Sequence, residues 1–143
     1  MYLVDSNIWL ELLLEQERSK EVRQFLQIVE ASELSLSEFT LYSIDIITTR
    51  LNREDVLEAF LSDILEDSGV RRICLTSSDL KQLISIRRKF RLDFDDAYQY
   101  VAAEKKGLIL VSFDTDFDRT DLGRKTPAEI IAAGRTAWGS PLW

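Results

Sequence analysis

Four acids stand where carboxylates could be aimed at one point. Asp5 follows the apolar run Tyr2-Leu3-Val4. Glu38 follows Leu34-Ser35-Leu36-Ser37. Asp96 lies in the acidic start of an amphipathic stretch, and Asp114 leaves the most continuous apolar run in the chain, 108–113. Carboxylates gathered in one place repel one another unless a cation neutralises them, and an all-oxygen donor set suits a hard divalent ion. Each acid also has a plainer role, because Asp and Glu are common in the first turns of helices. Asp5 can accept helical N–H bonds. Ser35 stands three residues before Glu38, the spacing of a capping box. Asp93 reads as an N-cap, with Asp95 facing water. A cap can equally well be Ser or Thr, and the chain uses those at Ser78 and Thr126, so four acids at four such junctions favour a common purpose.

Composition narrows the chemistry. The chain has 143 residues, 45% hydrophobic and 30% charged, the size and balance of one domain with a real core. It contains no histidine and one cysteine. Ser-His-Asp and Cys-His catalysis, His-ligated zinc and four-thiolate sites are therefore excluded. Hydrolysis would have to rely on carboxylates, hydroxyls, Lys, Arg or an oxygen-liganded metal. Cys74, inside the run Ile73-Cys74-Leu75, reads as a small core residue. No apolar run is long enough to span a membrane. The start, MYLVDSNIWL, has neither basic lead nor small-residue cleavage site, and the expected location is the cytoplasm. The net charge of −7, from 25 acids and 18 bases, argues against a large nucleic-acid surface, but a bound cation would reverse the sign locally.

The elements that must position these acids alternate between strand and helix. A strand over 2–4 leads to a helix carrying Ile8, Trp9, Leu12 and Leu13 at helical spacing. A helix over 19–31 presents Val22, Phe25, Leu26 and Val29. A brief strand at 34–36 precedes a helix over 37–51. The stripe Val56, Leu57, Phe60, Leu61, Ile64 and Leu65 predicts a helix over 53–68, closed by Gly69. Residues 70–75 read as an edge strand, because Arg71 and Arg72 lie inside it. The run 76–79 caps a helix over 80–90 that ends in Arg87, Arg88 and Lys89, as the helix dipole favours. Asp93 starts a helix running to Gly107, and 108–113 reads as a central strand buried on both faces. Thr126-Pro127 starts a last helix ending at Gly134. The expectation is one α/β domain over 1–134, with a mainly parallel sheet of four to five short strands. The remaining tail, 135–143, holds Trp138, Trp143 and a proline. In such sheets ligands collect at the C-terminal ends of the strands, where Asp5, Glu38 and Asp114 fall.

Three look-alike motifs fail. Asp114-Thr115-Asp116-Phe117-Asp118 has the alternating acids of a calcium loop, but Arg119 stands where that loop needs glycine and Lys125 where it needs glutamate. The same triplet in haloacid-dehalogenase phosphatases follows the first strand, and here it follows a late one. A receiver domain would want a lysine after a late strand, and Lys105 and Lys106 lie before one. The segments VDSNIWLELL, LSLSEFTLYSI, FDDAYQYVAAEKKG, LILVSFDTDFDR and TPAEI, in this order, resemble a PIN domain of the short VapC toxin type. Segment 46–53 and the tail match nothing in that pattern.

The resemblance implies a Rossmann-like, three-layer PIN fold and a Mg²⁺- or Mn²⁺-dependent ribonuclease, the toxin of a type II toxin–antitoxin pair. Asp5, Glu38, Asp96 and Asp114 match the family's four catalytic acids, and Asp116 joins them as a metal ligand. Asn7 and Ser112 match supporting polar positions. RNA substrates, a homodimer and a small antitoxin protein plugging the acidic groove are the implied partners. Arg50, Arg53, Arg119, Arg124 and Lys125 are the candidate RNA contacts. Two rival readings stay open: a catalytically silent PIN-like module acting through protein partners, and a receiver-like phosphotransfer protein.

Overall fold

A computed structural model describes residues 1–137; the tryptophans of the tail, Trp138 and Trp143, lie outside the described residues. The chain runs β1 (Tyr2–Val4), α1 (Ser6–Leu13), α2 (Ser19–Ile28), β2 (Leu34–Ser37), α3 (Glu38–Arg50), α4 (Glu54–Phe60), β3 (Arg71–Ile73), α5 (Ser77–Phe90), α6 (Phe94–Lys106), β4 (Ile109–Val111) and α7 (Pro127–Ala137). The four strands form one parallel sheet in the order β3-β2-β1-β4. This is the expected α/β architecture.

The side-chain alternation of the strands divides the core into layers. Val4, Leu34 and Leu36 face one way, onto Ile8, Trp9, Val22, Phe25, Leu41, Ile44, Phe60, Ile130 and Ile131 from α1, α2, α3, α4 and α7. Leu3 and Leu110 face the other way, onto Ala102 and Ala103 of α6 and Phe117. Helix α5 packs outside α6 through Leu83, Tyr98, Tyr100 and Val101. Sandwiched between the sheet and α5, α6 is buried continuously from Asp96 to Ala103. It stops at Gly107, whose φ of +64° is a conformation that costs glycine little and other residues more.

Several local expectations are corrected. The strand at 108–113 is not central: β4 is only three residues long and lies at the sheet edge, with Ile109 exposed. Its outer side is closed by the chain at Lys125, which bonds to Leu110 and Ser112, so a nearly continuous apolar run arises without a second strand neighbour. The helix predicted over 53–68 is α4 followed by a π-helical turn over Leu61–Glu66. Helix α3 is capped by Ser37, which accepts from the Thr40 N–H, and not through Ser35, which is buried in β2. Helix α5 is capped by Thr76 in a capping box with Asp79, not by Ser78. Asp93 occupies the N-cap position of α6, but its side chain makes no cap bond. The last helix continues through Gly134. Cys74 is exposed, because it lies just past the end of the edge strand β3.

The core predicts its own weak point. Phe60 is fully buried, and its ring lies edge-on to Trp9 at 5.5 Å between centroids. Phe60→Ala leaves a cavity between α1 and α4, and urea unfolding should show a loss of about 3–5 kcal/mol.

Candidate metal centre

The register of β1 and β4 builds the site. Leu3 pairs with Leu110 and Val4 with Val111, so Asp5 and Ser112 emerge side by side at the C-terminal edge. Ser112 Oγ donates to Asp5 Oδ2 at 2.7 Å, and Asp5 Oδ1 accepts from the Ser6 N–H at 2.7 Å and from Gln99 Nε2 at 2.9 Å. Asp5 thus does cap α1, as its plainer reading held, and does so while held from three sides. Asn7 donates to Ser112 Oγ at 3.2 Å and accepts from the Phe113 N–H at 3.2 Å. Ser112 Oγ also accepts from the Asp114 N–H at 3.0 Å, and Asp114 Oδ1 from the Asp116 N–H at 2.8 Å. Asn7 and Ser112 therefore tie the end of β1 to the turn that carries Asp114 and Asp116.

Asp96 reaches the same edge from the first turn of α6. One carboxylate oxygen from each of Asp96, Asp114 and Asp116 lies within 4.8 Å of the others. Burial first, and then the charge of Asp114, push Asp96 from its ordinary 3.8 up to about 8; Asp95 and Asp5 add to the effect. Burial also raises Asp5, against the hydrogen bonds from Ser112, Gln99 and Ser6. Three oxygen donors, of which Asp116 alone is paired with a base, Arg119, fit a hard divalent cation such as Mg²⁺ or Mn²⁺.

Glu38 stands apart from this group. Its carboxylate accepts from Arg72 Nη2 at 2.7 Å and Tyr42 OH at 2.8 Å. Hydrogen bonding to Cys74, then to Tyr42 and Arg72, lowers it to about 2. It is therefore firmly ionised and turned toward the β3 edge.

Gln99 was not among the residues singled out from sequence. It is buried in α6, with Nε2 bonded to Asp5 and Thr40 and Oε1 lacking a partner. Its signal was available: Gln99 is a polar residue on the helix face that carries Asp96 and Ala103 inward. The candidate RNA contacts are mostly engaged within the chain. Arg53 pairs with Asp55, and Arg119 with Asp116 and the carbonyls of Phe90 and Arg91. Arg124 pairs with Asp118 and the Ser112 carbonyl. Lys125 lies 4.0 Å from Glu129, and Arg50 is exposed in the last turn of α3.

The fold and these acids define a parallel α/β domain with an oxygen-donor centre at its strand ends. The chain belongs to the PIN domain family, whose pattern residues 2–122 match. Its fold is shared with a toxin–antitoxin complex from Klebsiella pneumoniae (22% identity, 89% of this chain and 98% of that one covered, TM-score 0.70). It is also similar to FitAcB from Neisseria gonorrhoeae (21%, 90% and 99%, 0.71) and to VapC20 from Mycobacterium tuberculosis, a sarcin–ricin loop cleaving toxin (21%, 82% and 93%, 0.70). Among curated proteins none matches the chain in sequence.

Two outcomes follow from the site. The folded protein binds the Asp96 proton more tightly than the unfolded chain between pH 3.8 and about 8, so this group's contribution to stability is present at low pH and lost as pH rises through that interval. Melting in EDTA should show Tm falling from pH 5 to pH 8, with Asp96→Asn flattening the fall and Mn²⁺ raising Tm more at pH 8 than at pH 5. Gln99→Met takes two donated bonds from the network around Asp5 and should cost about 1–3 kcal/mol in urea unfolding at pH 8.

Proposed function

We propose that the chain is a divalent-metal-dependent endoribonuclease, the toxin half of a toxin–antitoxin pair. The observation that carries this reading is the convergence of Asp96, Asp114 and Asp116 beside the buried Asp5, in a PIN domain. Asp5, Asp96, Asp114 and Asp116 would hold Mg²⁺ or Mn²⁺. The ion would activate water and offset charge on the reacting phosphodiester. The chain's own residues supply the geometry. Ser112 and Gln99 fix Asp5, Asn7 fixes the β4 turn, and Asp96 would offer its carboxylate oxygen to the ion from the first turn of α6. Glu38, held ionised by Cys74, Tyr42 and Arg72, would join the centre only by leaving its contact with Arg72. No imidazole or side-chain nucleophile is required, in keeping with a chain that has no histidine.

RNA as substrate, cleaved to 5′-phosphate products, accords with the kinship to VapC20, a toxin described as cleaving the sarcin–ricin loop. A small antitoxin accords with the toxin–antitoxin complexes that share the fold. A homodimer or antitoxin contact finds exposed apolar side chains at Tyr42 and Ile46, one turn apart on α3. Among the described residues no helix is long and apolar enough to cross a membrane. Of the basic candidates, Arg50 and Lys125 are the least committed within the chain. A second reading, a catalytically silent partner-binding module, draws on Glu38 being paired with Arg72 outside the acid group.

Incubation with mixed RNA separates the two. The nuclease should cut with Mn²⁺, stop in EDTA, resume with excess Mn²⁺, and be lost in Asp96→Asn and Asp114→Asn while circular dichroism is unchanged. Cleavage that persists in EDTA would refute the metal-dependent chemistry. Bound Mn²⁺ or a normal fold with no cleavage of any RNA would favour the silent module.

A further inference from the structure

Glu38 starts at the acidic edge and reaches away from it. Leu3 pairs with Ser35, so β2 delivers Ser37 and Glu38 to the edge where β1 delivers Asp5. Gln99 spans the two, donating from Nε2 to Asp5 Oδ1 and to Thr40 Oγ1, which ties the first turn of α3 to Asp5. The Glu38 carboxylate nevertheless points to β3. Arg72 Nη2 donates to it at 2.7 Å and Tyr42 OH at 2.8 Å, and the Cys74 side chain adds a third hydrogen bond. Arg72 pairs in register with Leu36, whose side chain faces the α3 layer, and neighbours in register share a face. That is why Arg72 crosses to α3. It also donates to Tyr42 OH at 3.1 Å, with its guanidinium 5.8 Å from the centre of that ring.

A second acid lies on the same face of α3. Glu38, Tyr42 and Asp45 form one stripe of the helix, as residues three and four apart do. Asp45 Oδ1 is buried and has no hydrogen-bond partner among the described residues. Burial pushes the Asp45 carboxyl up, and the charge of Arg72 works against that. Arg72 thus acts on two carboxylates while bonded to one of them. A buried acceptor without a donor is costly, and Arg72 is the cation whose charge reaches this one. The Arg72–Glu38 pair is open to water, its side chains 44% and 30% exposed, and such pairs are weak enough to exchange.

We propose that Arg72 is a latch on the metal centre: it holds Glu38 against β3, and it passes to Asp45 when Glu38 turns to a divalent cation beside Asp5. The apparent affinity for the cation is then reduced by the fraction of molecules in which Glu38 is held. Both positions leave Arg72 paired with a carboxylate, so the two states differ little in energy and a ligand can choose between them. A fixed positive charge near the acids would also oppose a cation, but that effect does not pass through Glu38.

This inference rests on the metal-dependent reading, and the test separates the two. Free Mn²⁺ is followed by electron paramagnetic resonance as Mn²⁺ is titrated into the EDTA-stripped full-length protein. Arg72→Ala should tighten Mn²⁺ binding about two- to fivefold, the range of an exposed ion pair. On a Glu38→Gln background the same change should have no effect, because no carboxylate remains to be released. Asp45→Asn should weaken binding, and only while Arg72 is present. Arg72→Gln repeats the measurement should the alanine variant unfold. Mn²⁺ binding that Arg72→Ala leaves unchanged, or tightens equally with and without the Glu38 carboxylate, would overturn the latch and leave the metal centre standing. Asp45→Asn that binds Mn²⁺ as the wild type does would overturn the passage of Arg72 to Asp45. A wild-type protein that takes up no Mn²⁺ would overturn the metal centre and the latch together.

Discussion

Negative charge crowded into a half-buried corner is the constraint on which the rest of this structure depends. Asp5, Asp96, Asp114 and Asp116 meet where water is partly excluded and like charges repel. The chain resolves the conflict in two ways. Asp5 is surrounded by donors from Ser6, Gln99 and Ser112, which offset part of its desolvation. Asp96 lacks such donors and is driven up to about 8. Donors gathered around one carboxylate and electrostatic strain left on its neighbour are the arrangement expected of a site that could take a cation.

The sheet makes that arrangement possible at little cost in chain. Parallel pairing of β1 with β4 delivers Asp5 and Ser112 to adjacent positions, and a slip of one residue would turn both away. Strand order places the switch in chain direction between β1 and β2 on one side and β4 on the other, which is where open parallel sheets bind their ligands. Helix α6, buried along eight consecutive residues, is a rigid support for Asp96 and Gln99. The short helical turn over Thr115–Arg119 is fixed from within by Asp114 Oδ1.

Outside the centre, charge is distributed by pairing. Arg53, Arg72, Arg119 and Arg124 are held by acids or carbonyls of the chain, and the Arg72–Glu38–Tyr42 contact holds Glu38 against β3.

Much of the fold was legible in the sequence, and so were the acids that the fold could bring together. The alternation of apolar runs with helical stripes gave the α/β class, and the absence of histidine removed most hydrolytic chemistries before any geometry was known. Arg71 and Arg72 marked β3 as an edge because unpaired edges tolerate charge. Local patterns failed where a distant segment decided the outcome. Residues 108–113 looked central because they are apolar, yet it is the backbone of Lys125, and not another strand, that covers them. Glu38 stood beside the other acids in the sequence pattern, which held no sign of its contact with Arg72, thirty-four positions away. Gln99 looked like one polar residue among many until packing put it against Asp5. Sequence by itself determined which side chains were available and in what order along the chain, because composition and periodicity are local properties. Only the tertiary structure decided which carboxylates share one low-dielectric corner, because burial and charge–charge distance are set by contacts between segments that the sequence keeps far apart.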